Sequence, residues 1–95
     1  MNHRNGSSAI VDIAYLTRSE HRVPTLVALT ERPRSRAELC ELTGVSSSTM
    51  RRTLDEFGDR RWIRKEEYQY VATRLGEAIA SGMEVYRSMM ARSTR

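Results

Sequence analysis

The sequence predicts a mostly α fold with a small β-hairpin and a long C-terminal helix. Three observations carry this expectation. Ser35 to Phe57, SRAELCELTGVSSSTMRRTLDEF, spells two short helices around a fixed turn. Trp62 to Ala72 is rich in aromatic and β-branched residues broken by a pair of glutamates, as in two short strands. From Thr73 to about Arg92, apolar residues recur at helical spacing.

The elements follow in order. Met1 to Gly6 is polar and uncapped, so residues 1–7 are expected to form a flexible tail. Ser7 or Ser8 can cap a short helix carrying Ile10, Ile13 and Ala14. Ser19 is expected to cap a second helix running to about Thr30, with Val23, Leu26, Val27 and Leu29 as its apolar content; Pro24 comes early enough to be tolerated. ERPRS reads as a turn in which Pro33 closes the preceding helix, leaving Arg34 and Arg36 where they can reach phosphates. Ser35 and Glu38 have the spacing of a capping box, which starts a helix at Arg36 with Leu39, Leu42 and Thr43 as its stripe and the small Cys40 beside them. Gly44 ends that helix, Val45 drops into the angle, and Ser46 caps the next. Met50, Leu54 and Phe57 at i, i+4 and i+7 make its core side, which turns Ser47, Ser48, Arg51, Arg52 and Asp55 outward. Strands at Trp62–Lys65 and Tyr68–Ala72 are expected to be joined by Glu66 and Glu67. Thr73 caps the last helix, about 28 Å long at 1.5 Å per residue. Ile79, Met83, Tyr86 and Met90, spaced 4, 3 and 4, form a short coiled-coil-like seam that Leu75 continues.

Two helices around a glycine turn, with an Arg pair outward on the second, are the pattern of a helix-turn-helix, whose second helix is shaped for the DNA major groove. The stretch resembles the helix-turn-helix of winged-helix transcription regulators, with Leu39, Cys40, Gly44, Val45 and Met50 at packing positions. RRWIRKEEYQYVATRLGEAIA is similar to the wing and following helix of that family, in which a Trp-Ile start and a Tyr-x-x-Thr-x-x-Gly end recur; here these are Trp62, Ile63, Tyr70, Thr73 and Gly76. The resemblance spans about Ser19 to Ala80 and is nearest to archaeal and bacterial ArsR-like or MarR-like regulators. It implies a winged helix-turn-helix domain over residues 8–73 and a helix over residues 74–95 for dimerisation or for connection to a further domain. The family's wing tip is often basic and contains glycine, whereas Glu66 and Glu67 would be repelled by phosphate.

The 95 residues suit one domain, with a net charge of +4. Six Arg against three acids precede Ala37, and six basic residues against three acids lie between Ser46 and Lys65, so these segments are expected to flank DNA. Fifteen of the sixteen basic residues are Arg, a bias that base composition explains as readily as phosphate recognition. No apolar run approaches the roughly 18 residues of a membrane span and no signal-peptide core precedes the domain, so a cytoplasmic location is expected and the Asn5-Gly6-Ser7 glycosylation match is accidental. Cys40 stands where ArsR-like metal sensors begin a thiolate motif, but its companion position is Leu42 and the chain has one Cys, so no metal site is expected. His3 and His21 are isolated. The glycines are scattered and no carboxylate pair stands near a His, which speaks against an enzyme and against a cofactor.

The expected function is sequence-specific binding of double-stranded DNA by a homodimeric transcription regulator, with the helix from about 47 to 60 in the major groove. Ser46, Ser47, Ser48, Arg51 and Arg52 would contact DNA, with Arg64 and Lys65 on the wing as further backbone contacts; Ile79, Met83, Tyr86 and Met90 would form the dimer seam. Each set has a plainer alternative. Arg51 and Arg52 can pair with Asp55 and Glu56 at i, i+4, the serines can act only as caps, and the seam can pack on its own domain. A winged helix can also serve as a protein-interaction module in a transcription or repair assembly.

Overall fold

The structure, a computed structural model, describes residues 5–93, with side chains from Val11 to Ala91. The tail expected at the N-terminus lies outside the described residues up to Arg4. The elements are α1 (Asn5–Thr17), α2 (Arg22–Glu31), β1 (Arg34–Ser35), α3 (Arg36–Thr43), α4 (Ser47–Asp59), β2 (Ile63–Glu66), β3 (Gln69–Ala72) and α5 (Arg74–Ser93). The three strands form one antiparallel sheet in the order β1-β3-β2. This is the mostly helical fold with a small sheet that the sequence predicts.

The first two helices depart from expectation at their starts. The backbone is helical from Asn5, so Ser7 and Ser8 lie inside α1 rather than capping it. Helix α2 begins at Arg22 with His21 as its N-cap, not at Ser19. The physical reason is Pro24: in a helix starting at Arg22 it is the third residue, whose amide has no intrahelical acceptor to lose. Ser19 instead holds the His21 ring, with Oγ 2.8 Å from Nδ1.

Strand β1 is the largest omission from the sequence reading. Arg34 pairs with Tyr70 and Ser35 with Gln69, so the segment read as a turn is the sheet's third strand. Pro33 precedes this edge, where a missing donor is harmless. Arg34 is turned into the domain rather than outward. Its Nε donates to the Ala28 carbonyl at 2.9 Å and Nη2 meets Glu31 at 2.8 Å, closing the C-terminus of α2 with a side chain only 12% exposed.

The helix-turn-helix folds as its caps dictate. Ser35 accepts the Glu38 amide while Glu38 accepts the Ser35 amide, a complete capping box. Gly44 adopts φ 80° and its amide donates to Cys40 O at 2.8 Å, which lets the chain reverse into Ser46. Met50, Thr53, Leu54 and Phe57 are buried on α4. Leu42 corrects the expected stripe of α3: it is 57% exposed while Leu39 is fully buried, because Leu39 faces the core and Leu42 lies about 60° away around the helix.

At its far end α4 stops in a Schellman turn. Trp62 N–H donates to Phe57 O and Arg61 N–H to Gly58 O, with Arg61 at φ 65°. The turn brings Trp62, 2% exposed, under the helix, with its ring centroid 5.5 Å from that of Phe57. Trp62 is therefore a core anchor ahead of the hairpin rather than part of its first strand. Ile63 pairs with Ala72 and Glu66 with Gln69, so the hairpin turn is Glu67-Tyr68 rather than Glu66-Glu67. Thr73 caps α5 as expected, its Oγ1 accepting the Gly76 amide at 3.1 Å. Leu75 is 48% exposed and does not extend the buried stripe of α5.

Candidate nucleic-acid interface

The core fixes one side of α4 and leaves the other to solvent. Ser47, Ser48, Arg51, Arg52 and Asp55 are all exposed, as the spacing predicts. Ser46 performs the capping: its Oγ accepts the Thr49 amide at 3.2 Å and donates to Thr49 Oγ1 at 3.1 Å. Its hydroxyl is thus engaged within the helix start. The first amides of α4 have no intrahelical acceptor, so this end presents donors and the positive pole of the helix dipole.

Arg51 and Arg52 make no ion pair among the described residues. Neither i, i+4 pair that the sequence permits forms; for Arg52 the reason is that Glu56 turns inward. Tyr15 donates its hydroxyl to Glu56 Oε1 at 2.6 Å, and Arg22 Nη2 lies 3.9 Å from the same oxygen. The Tyr15 hydroxyl is pushed up to about 12, first by burial and then by this hydrogen bond to a carboxylate. The guanidinium groups of Arg22 and Arg60 lie over the Tyr15 ring at 4.0 and 3.7 Å. Arg22, Arg34 and Arg60 are therefore engaged inside the domain, and the outward positive charge is narrower than the two basic segments of the sequence suggest.

Two shallow clefts flank the exposed ridge of α4. One is lined by Arg36, Ser47, Ser48, Arg51, Arg52 and Asp55; the other by Arg36, Arg51, Asp55, Asp59, Arg64, Lys65 and Tyr70. The fold thus gathers Ser47, Ser48, Arg51, Arg52, Arg64 and Lys65 onto one face, with Arg36 joining them from the start of α3. Ser46 lines neither cleft.

The wing contributes less charge than its sequence offers. Arg64 is paired with Glu66 at 2.8 Å, across the pleat of β2. Lys65 lies 5.6 Å from the centroid of the Tyr70 ring and has no carboxylate partner among the described residues. Between Ile63 and Ala72 two cations face two carboxylates, so the wing is formally neutral. Its tip consists of Glu67 at φ 59° and Tyr68, 72% exposed. A glutamate replaces the glycine that such a backbone favours.

His21, given no role by the sequence, bridges α2 and α4. Its Nε2 lies 2.7 Å from Oγ1 of the buried Thr53, whose helix carries the Arg pair. Burial, and next the Arg22 guanidinium, hold the imidazole below its ordinary 6.5, while Glu56 opposes them. The folded state favours neutral His21, so its contribution is complete above about pH 6.5 and is lost as pH falls through the lower folded value. Thermal melts between pH 5 and 8 are expected to show the wild type losing more stability on acidification than His21→Gln; parallel curves would contradict the assignment.

The seam on α5 is divided. Met83 is 2% exposed and Ile79 packs partly buried against the core, so both are held by their own domain. Tyr86 and Met90 are 36% and 46% exposed, and Val85 beside them is 59% exposed. Of the four seam residues, Tyr86 and Met90 are the two left exposed. Cys40 is partly buried against the core as a free thiol, and no group of metal-binding side chains occurs among the described residues. No helix among the described residues is long and apolar enough to cross a membrane.

A capped helix pair, an exposed second helix and a strand hairpin beside it define a winged helix-turn-helix domain. The chain belongs to the HVO_A0261 N-terminal domain family, whose model matches residues 10–95. No curated protein matches it in sequence. Among solved structures it is similar to the MarR family protein Rv2887 of Mycobacterium tuberculosis, with a TM-score of 0.70, 23% identity, and coverage of 95% of this chain and 73% of that one. Rv1404 of the same organism matches with a TM-score of 0.68 and 23% identity, over 93% of this chain and 67% of that one. HlyU from Vibrio cholerae N16961 matches with a TM-score of 0.64 and 18% identity, over 88% and 97% of the two chains. These likenesses establish the winged-helix fold.

Proposed function

We propose that this chain binds double-stranded DNA sequence-specifically as a transcription regulator, inserting α4 into the major groove. One observation supports this most: Arg51 and Arg52 project from a helix whose opposite side is locked in the core, and neither is ion-paired among the described residues. Free guanidinium groups on a rigid helix suit guanine O6 and N7 as well as phosphate. Ser47 and Ser48 leave the helix start open to a phosphate, and Arg36 and Lys65 add contacts on either side. Arg64, already paired, has a smaller part.

In this reading the protein acts as a homodimer through Tyr86, Met90 and Val85 on α5, and, as for symmetric helix-turn-helix dimers in general, its half-sites would lie about 34 Å apart. Selection from a random duplex pool, followed by anisotropy titration at several salt concentrations, tests the whole proposal. The expected result is a symmetric motif whose affinity falls with log salt at a slope of about −0.9 per neutralised phosphate. Equal affinity for matched and scrambled duplexes would overturn it. Loss of all duplex binding under bulk competitor DNA would instead favour a protein-interaction module, with the Arg pair meeting an acidic partner.

A further inference from the structure

Asp55 is out of place on a surface that meets phosphates. It stands one helical turn beyond Arg51, lines both clefts with it, and is exposed. No ion pair or hydrogen bond holds it among the described residues, although Arg51 is at ideal i, i+4 spacing and Arg52 is three residues away. Its carboxylate is therefore not held as a contact partner of either arginine. Beside a polyanion such a group costs affinity wherever it meets phosphate or a base acceptor.

The donor and acceptor pattern of the major groove identifies the one edge that suits it. Guanine shows two acceptors, thymine shows O4 and a methyl group, and adenine sets the N7 acceptor beside its amine. Cytosine alone offers an amine donor with no acceptor next to it. Resting on the DNA-binding reading above, we infer that Asp55 is a specificity-determining residue that accepts a hydrogen bond from the N4 amine of a cytosine and repels the other bases there. Four residues of helix rise about 6 Å, close to two base-pair steps of roughly 3.4 Å, so this cytosine lies one or two base pairs from the base that Arg51 contacts. The same carboxylate weakens non-specific binding. Asp55 thereby raises selectivity from both sides.

The test is site selection with the wild type, Asp55→Ala and Asp55→Asn in parallel, followed by titration of duplexes varied at one position. The wild type is expected to select cytosine at one position of each half-site, with the other bases weaker by roughly 5- to 100-fold. D55A should lose preference at that position alone and bind scrambled duplex more tightly than the wild type. D55N, whose amide matches adenine N6 and N7, should move the preference there to adenine. Among the described residues no ion pair or hydrogen bond holds Asp55, so neither variant is expected to melt appreciably below the wild type, and D55A gains slightly from helix propensity. One motif shared by the three would overturn the inference while leaving the DNA-binding reading intact. Failure of the wild type to prefer any motif would overturn both.

Discussion

Gly76→Ala is expected to destabilise the protein by about 3 kcal/mol, the upper range for forcing atoms into a packed site. A Cβ at Gly76 would collide with the Trp62 carbonyl oxygen and lie 2.9 Å from its carbonyl carbon. That carbonyl cannot move aside freely, because its oxygen accepts the Thr73 amide at 2.9 Å and its residue is the C-terminal anchor of α4. The first turn of α5, the end of α4 and the base of the hairpin meet at this point. The clash therefore separates three elements at once. Gly82 provides the control: a Cβ there meets nothing within 4 Å, so Gly82→Ala should be neutral or stabilising by up to about 1 kcal/mol through helix propensity. Urea denaturation of both variants decides the matter, and equal midpoints would contradict the account.

Arg52→Ala is expected to cost about 1–3 kcal/mol in binding to the selected site and to flatten base preference, with the melting temperature unchanged. Arg52 is exposed and has no ion-pair partner among the described residues, so its removal leaves neither a cavity nor an orphaned charge. Arg52→Lys should restore phosphate attraction but not discrimination, because an ammonium lacks the planar fork that matches a guanine edge. Titration against matched and scrambled duplexes separates the two effects. A uniform loss across sequences would make Arg52 a phosphate contact only.

What the sequence displayed was decided by near neighbours. The capping box of Ser35 and Glu38, the left-handed Gly44 and the 50–54–57 side of α4 are set within one or two turns of chain, and all three stand in the structure as expected. Strand β1 was not legible. Two residues carry no periodicity, and their pairing with Tyr70 and Gln69 depends on a segment more than thirty positions away. The destination of charge was hidden for the same reason. Arg22, Arg34 and Arg60 look like Arg51 and Arg52 in a count, yet the ring of Tyr15 and the end of α2 claim the first three. Of the candidate interface, the outward set on α4 follows from helical spacing, whereas the pairing of Arg64 with Glu66 and the lack of a partner for Asp55 among the described residues depend on side-chain placement that spacing does not set.

The contact of Tyr15 with Glu56 spans forty-one residues of chain and ties a segment outside the helix-turn-helix to the helix at its centre. Leu16 beside it is fully buried, and the Tyr15 ring meets both Phe57 and Trp62 edge-on. A fragment trimmed to begin at Ser19 would keep every cap and strand of the winged helix but strip the cover from its two largest core rings. Such a fragment is expected to melt well below the longer chain, which would make the unit of folding longer than the unit of recognition.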